Sequence, residues 1–456
     1  MAHVYGHADC TIAYLFPPQD ALTKPRQDPR ILSSCVLRPP SASLPGVYIR
    51  PNMDDEIYRS NLYDKTIPDI DWLAPKDWPL FTRAWACQEY LLSPRIVFVG
   101  HRNLMWECSE LLCDELLGPI KRFPRTTASK IHFSAVRSVK LPITTMDAQL
   151  KVVQDWARLV RHYRAGMLTQ PEDRFMAFAG VAQAVHDSSG MTYLRGSWAQ
   201  LFPFSFTWSL NFKRGLTELP DFLRYKDENS TMTEVEAAIE WLPSWSWFSV
   251  PIFSHDAFEF EVNDRMLKIL RRSDSKTIIP MSQAILISYE DKLDEFQHAH
   301  PKSQSTTAFR HSLRMTLNIY MKTLNGFLEW SSKSNLRLGQ SKIKDQFDTL
   351  LGRGGSLRCQ FDRQDMAHNL SDRWMTFGLL IELRTGHEPG MGEGFGEPFL
   401  VGLIMQPDYS RKLYKRIGLW TLYLFRYPQG WDAEKFKSVS LFDQLQGVRS
   451  EHIRLV

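Results

Sequence analysis

Through residues 251–456 apolar side chains recur at every second position, in FEFEV (258–262), AILISYE (284–290), LRMTLNIYM (313–321), FLVGLIM (399–405) and LWTLYLF (419–425). A period of two puts one face of an extended chain into a core and the other towards solvent. Five such runs therefore predict an antiparallel sheet, closed into a sandwich or a barrel. Polar linkers such as HAHPKSQSTT and GRGGS separate them, and GHEPGMGEGFGEP reads as a glycine-rich loop. The GMGEGFG core of that loop has Phe395 where a dinucleotide fingerprint needs glycine, and it lies in no strand–turn–helix context. His298 and His300 lack the further ligands a metal requires and read as part of a solvated linker.

The period changes upstream. Between 146 and 164, Leu150, Val153, Trp156, Val160 and Tyr163 follow helical spacing. Pro171, with Glu172 and Asp173 after it, opens a second helix whose apolar stripe is Phe175, Phe178, Ala179, Ala182 and Val185. GSWAQLFPFSFTWSL (196–210) is expected to form a weaker helix interrupted at Pro203, and WLPSWSWFSV (241–250) a buried strand with Trp245 and Trp247 on one face. In the first hundred residues CTIAYLF (10–16) reads as a short buried strand, and 17–76 as loops with short strands such as GVYIR. These shifts divide the chain into a mixed α/β segment, 1–112, a mostly helical region, 113–250, and a β-rich domain, 251–456.

The stretch RAWACQEYLLSPRIVFVGHRNLMWEC, residues 83–108, concentrates the chemistry. Asp77 can cap a helix to about Leu92, with Leu80, Ala84, Cys87 and Leu91 on one face; Ser93-Pro94 ends it. RIVFVG then forms a strand, GHRN a turn and LMWEC the returning strand. Trp85 and Glu89 stand four apart on the helix and so lie one above the other. A carboxyl beside an indole loses water and its pKa rises. The structural alternative pairs Glu89 with Arg83 or Arg95. Trp85 and Trp106, on this alternative, clamp the helix to the strand pair, as Trp245 and Trp247 anchor a core further on.

The 456 residues are 43% hydrophobic and 23% charged, and the net charge of only +4 gives no electrostatic argument for nucleic acid, which is not expected as a partner. The six cysteines form no CxxC pair and read as free thiols of a reducing compartment, with no metal site. There is no P-loop, HExxH, GxSxG or EF-hand motif. No run reaches the roughly 20 apolar residues of a membrane helix, and MAHVYGHADC is no secretory leader. The expectation is a soluble, cytoplasmic protein.

Arg83-x-Trp-x-x-Gln88-Glu89, the Leu-Ser-Pro-Arg step ending at Arg95, and Trp106-Glu-Cys together resemble the fungal heterokaryon incompatibility (HET) domain. Val4-Tyr5-Gly6 with Ala8 and Thr11-Ile-Ala13 upstream are similar to that family's pattern. So are Trp156, Tyr163, Asp173-Arg174, Gly196, Trp198, Trp208 and Pro243-Ser-Trp-Ser-Trp247 downstream, and Tyr414-Lys-Arg-Ile-Gly418 loosely so. The family's opening Leu-Ser-Tyr-x-Trp-Gly and Trp-x-Asp-x-x-Cys-Ile-x-Gln strands have no counterpart, so the chain resembles a HET protein lacking the N-terminal part of its domain. The resemblance implies part of an α/β fold of the Toll/interleukin-receptor (TIR), flavodoxin-like kind. It implies a role in non-self recognition and programmed cell death, with other proteins or further copies of the chain as partners. No resident cofactor is expected. Glu89 would be the acid, with Arg83, Trp85, Gln88 and Arg95 around it, if the chain cleaves NAD as a substrate. An inactive remnant is the third reading.

Overall fold

A computed structural model describes residues 2–14, 35–39, 41, 47–49, 80, 83–99, 104–108, 110–114, 118–119, 128–164, 166–168, 171–211, 242–250, 257–260, 279–282, 284–291, 315–327, 355–362, 374–384, 397–424, 426–428 and 430–456. Asp77, the GHRN turn at 100–103, most of 17–76, His298, His300 and the GMGEGFG loop lie outside the described residues. The chain forms two compact units, one of 1–138 with 158–188, the other of 139–157 with 189–456.

In the first unit a short helix α1 (Ala2–Gly6) leads into strand β1 (Thr11–Tyr14), and β2 (Cys35–Arg38) pairs antiparallel with β3 (Val47–Ile49). Helix α2 (Ala84–Leu92) is followed by β4 (Arg95–Val99), β5 (Leu104–Cys108), β6 (Leu112–Asp114) and β7 (Gly118–Pro119). The sheet order is β1-β4-β5-β6-β7; β1 runs parallel to β4 and the other pairs are antiparallel. The sheet thus continues past residue 112. Helix α3 (Ala128–Arg137) comes next; α4 (Met146–Arg164) passes from one unit's residues to the other's, and a 3-10 turn at Pro171–Arg174 leads into α5 (Met176–Ser189).

Two expectations for this unit are corrected. Strand β1 is not buried: Ile12 is 65% and Tyr14 53% exposed, on the face opposite the half-buried Thr11 and Ala13, and β1 is an edge of the sheet among the described residues. Helix α2 begins at Ala84, after an extended Arg83 that makes no side-chain cap. It is buried almost all round, leaving only Trp85 and Glu89 outside its buried set. Nearly every position of AWACQEYLL is apolar or small, so neighbours enclose the whole cylinder and not a single stripe. Its start is held by a close backbone approach: Ala84 N donates to Met167 O at 2.9 Å. Gly166 makes this possible, since a Cβ there would stand 2.5 Å from the Ala84 Cα.

In the second unit β8 (Tyr193–Leu194) and β9 (Ser197–Trp198) form a hairpin. The expected helix over 196–210 is instead β9, 3-10 turns at Ala199–Leu201 and Phe204–Phe206, and β10 (Trp208–Asn211). Pro203 withholds a backbone donor, so only single turns form around it. The expected strand over 241–250 is also corrected: 242–250 are turns ending in a 3-10 turn at Trp247–Ser249. Serine is the cause. The Ser246 side chain accepts from Phe248 N and donates to Arg195 O, and Ser249 donates to Ser246 O at 2.7 Å, so local bonds replace a ladder. Both tryptophans are nevertheless fully buried. The Gly196 carbonyl accepts the indole N–H of Trp156 at 2.9 Å and of Trp247 at 2.6 Å. Gly196 has a φ of 111° with the Trp247 ring against its α-carbon, a position that no side chain fits.

Strand β11 (Ala257–Phe260) pairs with β10. Four of the alternating runs lie in β13 (Ala284–Asp291), β14 (Met315–Phe327), β17 (Glu397–Asp408) and β18 (Leu413–Leu424), and β12 (Ile279–Ser282), β15 (Gly355–Phe361), β16 (Trp374–Arg384) and β19 (Arg449–Leu455) join them; a short helix α6 (Ala433–Ser438) precedes β19. Antiparallel pairing predominates, and β14 returns to pair with β16, closing the path β16-β17-β18-β19-β14 on itself. Arg416 of β18 is wholly buried. Its guanidinium donates to both Asp362 oxygens at 2.9 and 3.2 Å and to the carbonyls of Phe206 and Trp208, and it lies 3.4 Å over the Trp208 ring. That one side chain ties β18, the end of β15 and the start of β10 together.

Candidate functional site

The exposed flank of α2 carries the candidate chemistry. Helical spacing brings Trp85 and Glu89 to one side. The Trp85 indole N–H donates to Asp173 at 3.2 Å, fixing the helix to the 3-10 turn before α5. Glu89 is half-buried, and burial pushes its carboxyl above the usual carboxylate range; the nearby Tyr5 hydroxyl and the Arg83 cation oppose that rise. Tyr5 is pushed up in turn, chiefly by burial and then by the Glu89 charge. Arg83 is exposed at the mouth of the helix.

The other expected site residues separate. Gln88 is buried, and its side-chain oxygen accepts from Gly180 N at 2.7 Å, so it joins α2 to α5 and is closed to a ligand. Arg95 donates to Asp9 O at 3.3 Å, and the cation beside Glu89 is Arg83. Trp106 alternates with the inward-facing Met105 and Glu107 on β5, and so lies on the opposite face of the sheet from them. The expected Trp85–Trp106 clamp is therefore replaced. Tyr90 of α2 holds the strand pair instead, donating to Glu107 at 2.9 Å and packing its ring 6.3 Å from that of Phe98.

No protein-family model matches the chain, and neither does any curated protein or solved structure. What the site can do is therefore read from its own groups.

Beneath α2 lies a buried polar cluster. Glu107 is pushed up by burial, against the pull of Lys130 and the Tyr90 bond; Lys130 is pushed down by burial. Lys130 donates to Ser93 O at 2.9 Å and so places a cation at the C-terminal end of α2, where the helix dipole favours it. The Ser93 hydroxyl donates to Glu89 O and therefore accepts from Thr11 on β1 at 2.7 Å. His162 packs its ring 5.7 Å from Tyr90, and burial lowers its pKa to about 3, so it is neutral near pH 7. The last turn of α2 is thus braced through Ser93, and Glu89 lies on the flank that the helix leaves outside its buried set.

Sequence reasoning missed Tyr5, Lys130 and Glu107. Glu107 had a signal: it occupies the inward parity of an alternating strand, where an acid needs a partner. Tyr5 and Lys130 had none, because their partners are brought to them by the fold. Among the described residues no group of three His, Cys, Asp or Glu is placed to hold a metal ion, and no helix is long and apolar enough to cross a membrane. Cys10, Cys87, Cys108, Cys113 and Cys359 are free thiols.

Proposed function

We propose that the chain is a cytoplasmic protein-interaction module of the fungal heterokaryon incompatibility type, one that signals non-self recognition and cell death by associating with like domains. The observation that carries this reading is β1. It is a sheet edge among the described residues and presents Ile12 and Tyr14 outward. Unpaired N–H and C=O groups beside exposed apolar side chains favour pairing with a strand from another chain. The Arg-x-Trp-x-x-Gln-Glu helix and the Trp-Glu-Cys strand support the family reading. Light scattering across a dilution series tests it. Wild type should gain mass with concentration, and an Ile12→Lys/Tyr14→Lys protein should stay monomeric and fail to kill expressing cells. Equal association and equal killing by both proteins would refute it.

A second reading rests on Glu89. Glu89 is half-buried with a raised pKa and stands four residues after a tryptophan, the spacing that the TIR resemblance associates with NAD cleavage. Glu89 would accept a bond from a ribose hydroxyl and stabilise the cation left as the C–N bond to nicotinamide breaks, before water adds to the ribose carbon. Incubation with NAD beside a Glu89→Ala control tests this: no consumption, or equal consumption by both, removes it.

A further inference from the structure

The outward face of the first unit's sheet carries two thiols, Cys108 and Cys113. Trp106 and Cys108 stand two apart on β5 and so share one face of the sheet. On the next strand Cys113 is registered directly opposite Trp106, which puts it on that face as well. The two cysteines are therefore diagonal neighbours across the β5–β6 hairpin, whose turn is closed by Cys108 N donating to Leu111 O at 2.9 Å. Met105 and Glu107 point the other way and are buried, whereas both thiols are part-exposed and neither is in a disulfide. The position facing Cys108 on β4 is Arg95, an exposed cation, and the exposed Glu110 in the turn carries the opposite charge. The Cys108 thiol sits below its ordinary pKa: burial and the Glu110 charge work against this, and hydrogen bonding, chiefly to the backbone of Glu110 and Leu111, outweighs them. Thiolate is the form that oxidants attack. Cys87 is the contrast, wholly buried and pushed up by that burial.

We propose that Cys108 and Cys113 form a reversible peroxide-sensing pair, with Cys108 the thiol that is oxidised and Cys113 the thiol that resolves it. The Cys108 thiolate attacks the O–O bond of a hydroperoxide. One oxygen passes to sulfur as sulfenic acid, and the other leaves as an alkoxide that takes up a proton. The Cys113 sulfur then attacks the sulfenic sulfur, the S–O bond breaks, and hydroxide leaves as water with the Cys113 proton. In total two thiols lose two electrons to one hydroperoxide and yield a disulfide, an alcohol and water. Diagonal strand neighbours have Cα atoms roughly 7–8 Å apart, a little beyond the spacing of about 4.4–6.8 Å in ordinary disulfides. Closing the bridge therefore draws in the tip of the hairpin, and β6, only three residues long, is what must give. A strained bridge is easily reduced, and exchange with a small thiol of the glutathione kind returns both cysteines. The site thus suits a transient oxidant signal in a reducing compartment, where lasting structural disulfides are rare. This inference is independent of the roles proposed for β1 and Glu89.

Peptide mapping of the full chain tests it. Reduced protein is treated with an equimolar amount of hydrogen peroxide, alkylated and cut after glutamate; cleavage after Glu110 separates the two thiols unless a bridge joins them. Wild type should give a Cys108–Cys113 bridge, two hydrogens lighter, as its main oxidised product, and glutathione should return it to thiols. Cys113→Ser should halt the reaction at Cys108, where a cyclic 1,3-diketone should trap sulfenic acid on the order of fivefold more than at the exposed Cys10. Cys108→Ser should leave Cys113 reduced. In urea, where the register is lost, the excess over Cys10 should vanish. Bridges spread over other cysteine pairs, equal trapping at Cys10 and Cys108 in the folded chain, an excess that persists in urea, or oxidation of Cys113 undiminished in Cys108→Ser would each overturn the pair.

Discussion

Replacing Arg416 with methionine should cost more stability than the loss of its contacts alone suggests, and the cost should depend on pH. The guanidinium is fully buried and makes two bonds to Asp362 and two to the carbonyls of Phe206 and Trp208. Methionine fills much of the volume but leaves a buried carboxylate and two buried carbonyl oxygens unpaired. Breaking a buried pair from one side typically costs about 3–5 kcal/mol. Burial already pushes Asp362 above the usual carboxylate range with the arginine present, and pushes Arg416 below its own, so desolvation outweighs attraction for both partners. Without the cation the Asp362 carboxyl is held higher still. The native state then keeps a proton that the unfolded chain releases, and stability falls as pH rises between the unfolded and folded values. The variant should therefore lose about 1–2 kcal/mol more at about pH 8 than at about pH 5. Lysine keeps the charge but cannot form the fork or stack on Trp208, and its loss should fall between wild type and methionine. Urea unfolding at the two pH values measures all three proteins. A methionine variant within about 1 kcal/mol of wild type, or equally destabilised at both pH values, would refute the account of Arg416 as a satisfied cation in a dry core.

Gly166→Ala should destabilise the first unit by about 1–3 kcal/mol, because the new Cβ meets backbone atoms of Ala84 at 2.5 and 2.6 Å and not a side chain that can turn away; a midpoint shift in urea reads this, and an unshifted midpoint counts against the close approach. His162 is held near 3 by burial, below its unfolded value, so the unfolded chain takes up a proton first and stability drops as pH falls from about 6.5 towards 3. Glu107, raised in the fold, acts in the opposite sense, since its contribution is lost as pH rises. His162→Gln should therefore flatten the acid limb of the pH–stability curve, and an acid limb as steep as wild type would show that other groups set it. Tyr90→Phe should cost about 1–3 kcal/mol by leaving Glu107 short of its buried donor, measured the same way, with a loss under about 0.5 kcal/mol as the contrary result.

The pattern of residues carried much of the secondary structure and part of the site. Period two marked β11, β13, β14, β17 and β18, and period 3.6 marked α4 with its bounds at 146 and 164, because both periods follow from backbone geometry within a few residues. Trp85 and Glu89 were legible as neighbours for the same reason. The segments 196–210 and 241–250 were not: apolar aromatics fit helix, strand or turn alike, and bonds from Ser246 and the carbonyl of Gly196 decided between them. The burial of α2 on nearly every side was hidden because enclosure depends on what surrounds a helix.

By itself, then, the order of residues determined the most regular strands and the helix α4, and that an acid and an indole share one helical flank. Only the folded chain decided that Tyr90 and not Trp106 joins α2 to the strand pair, that β1 lies at an edge among the described residues, and that β14 returns to β16. Local periodicity is set by steric rules acting over one turn or one pleat, whereas these pairings join residues far apart in sequence, and their closure entropy is repaid only when the whole set of contacts forms together.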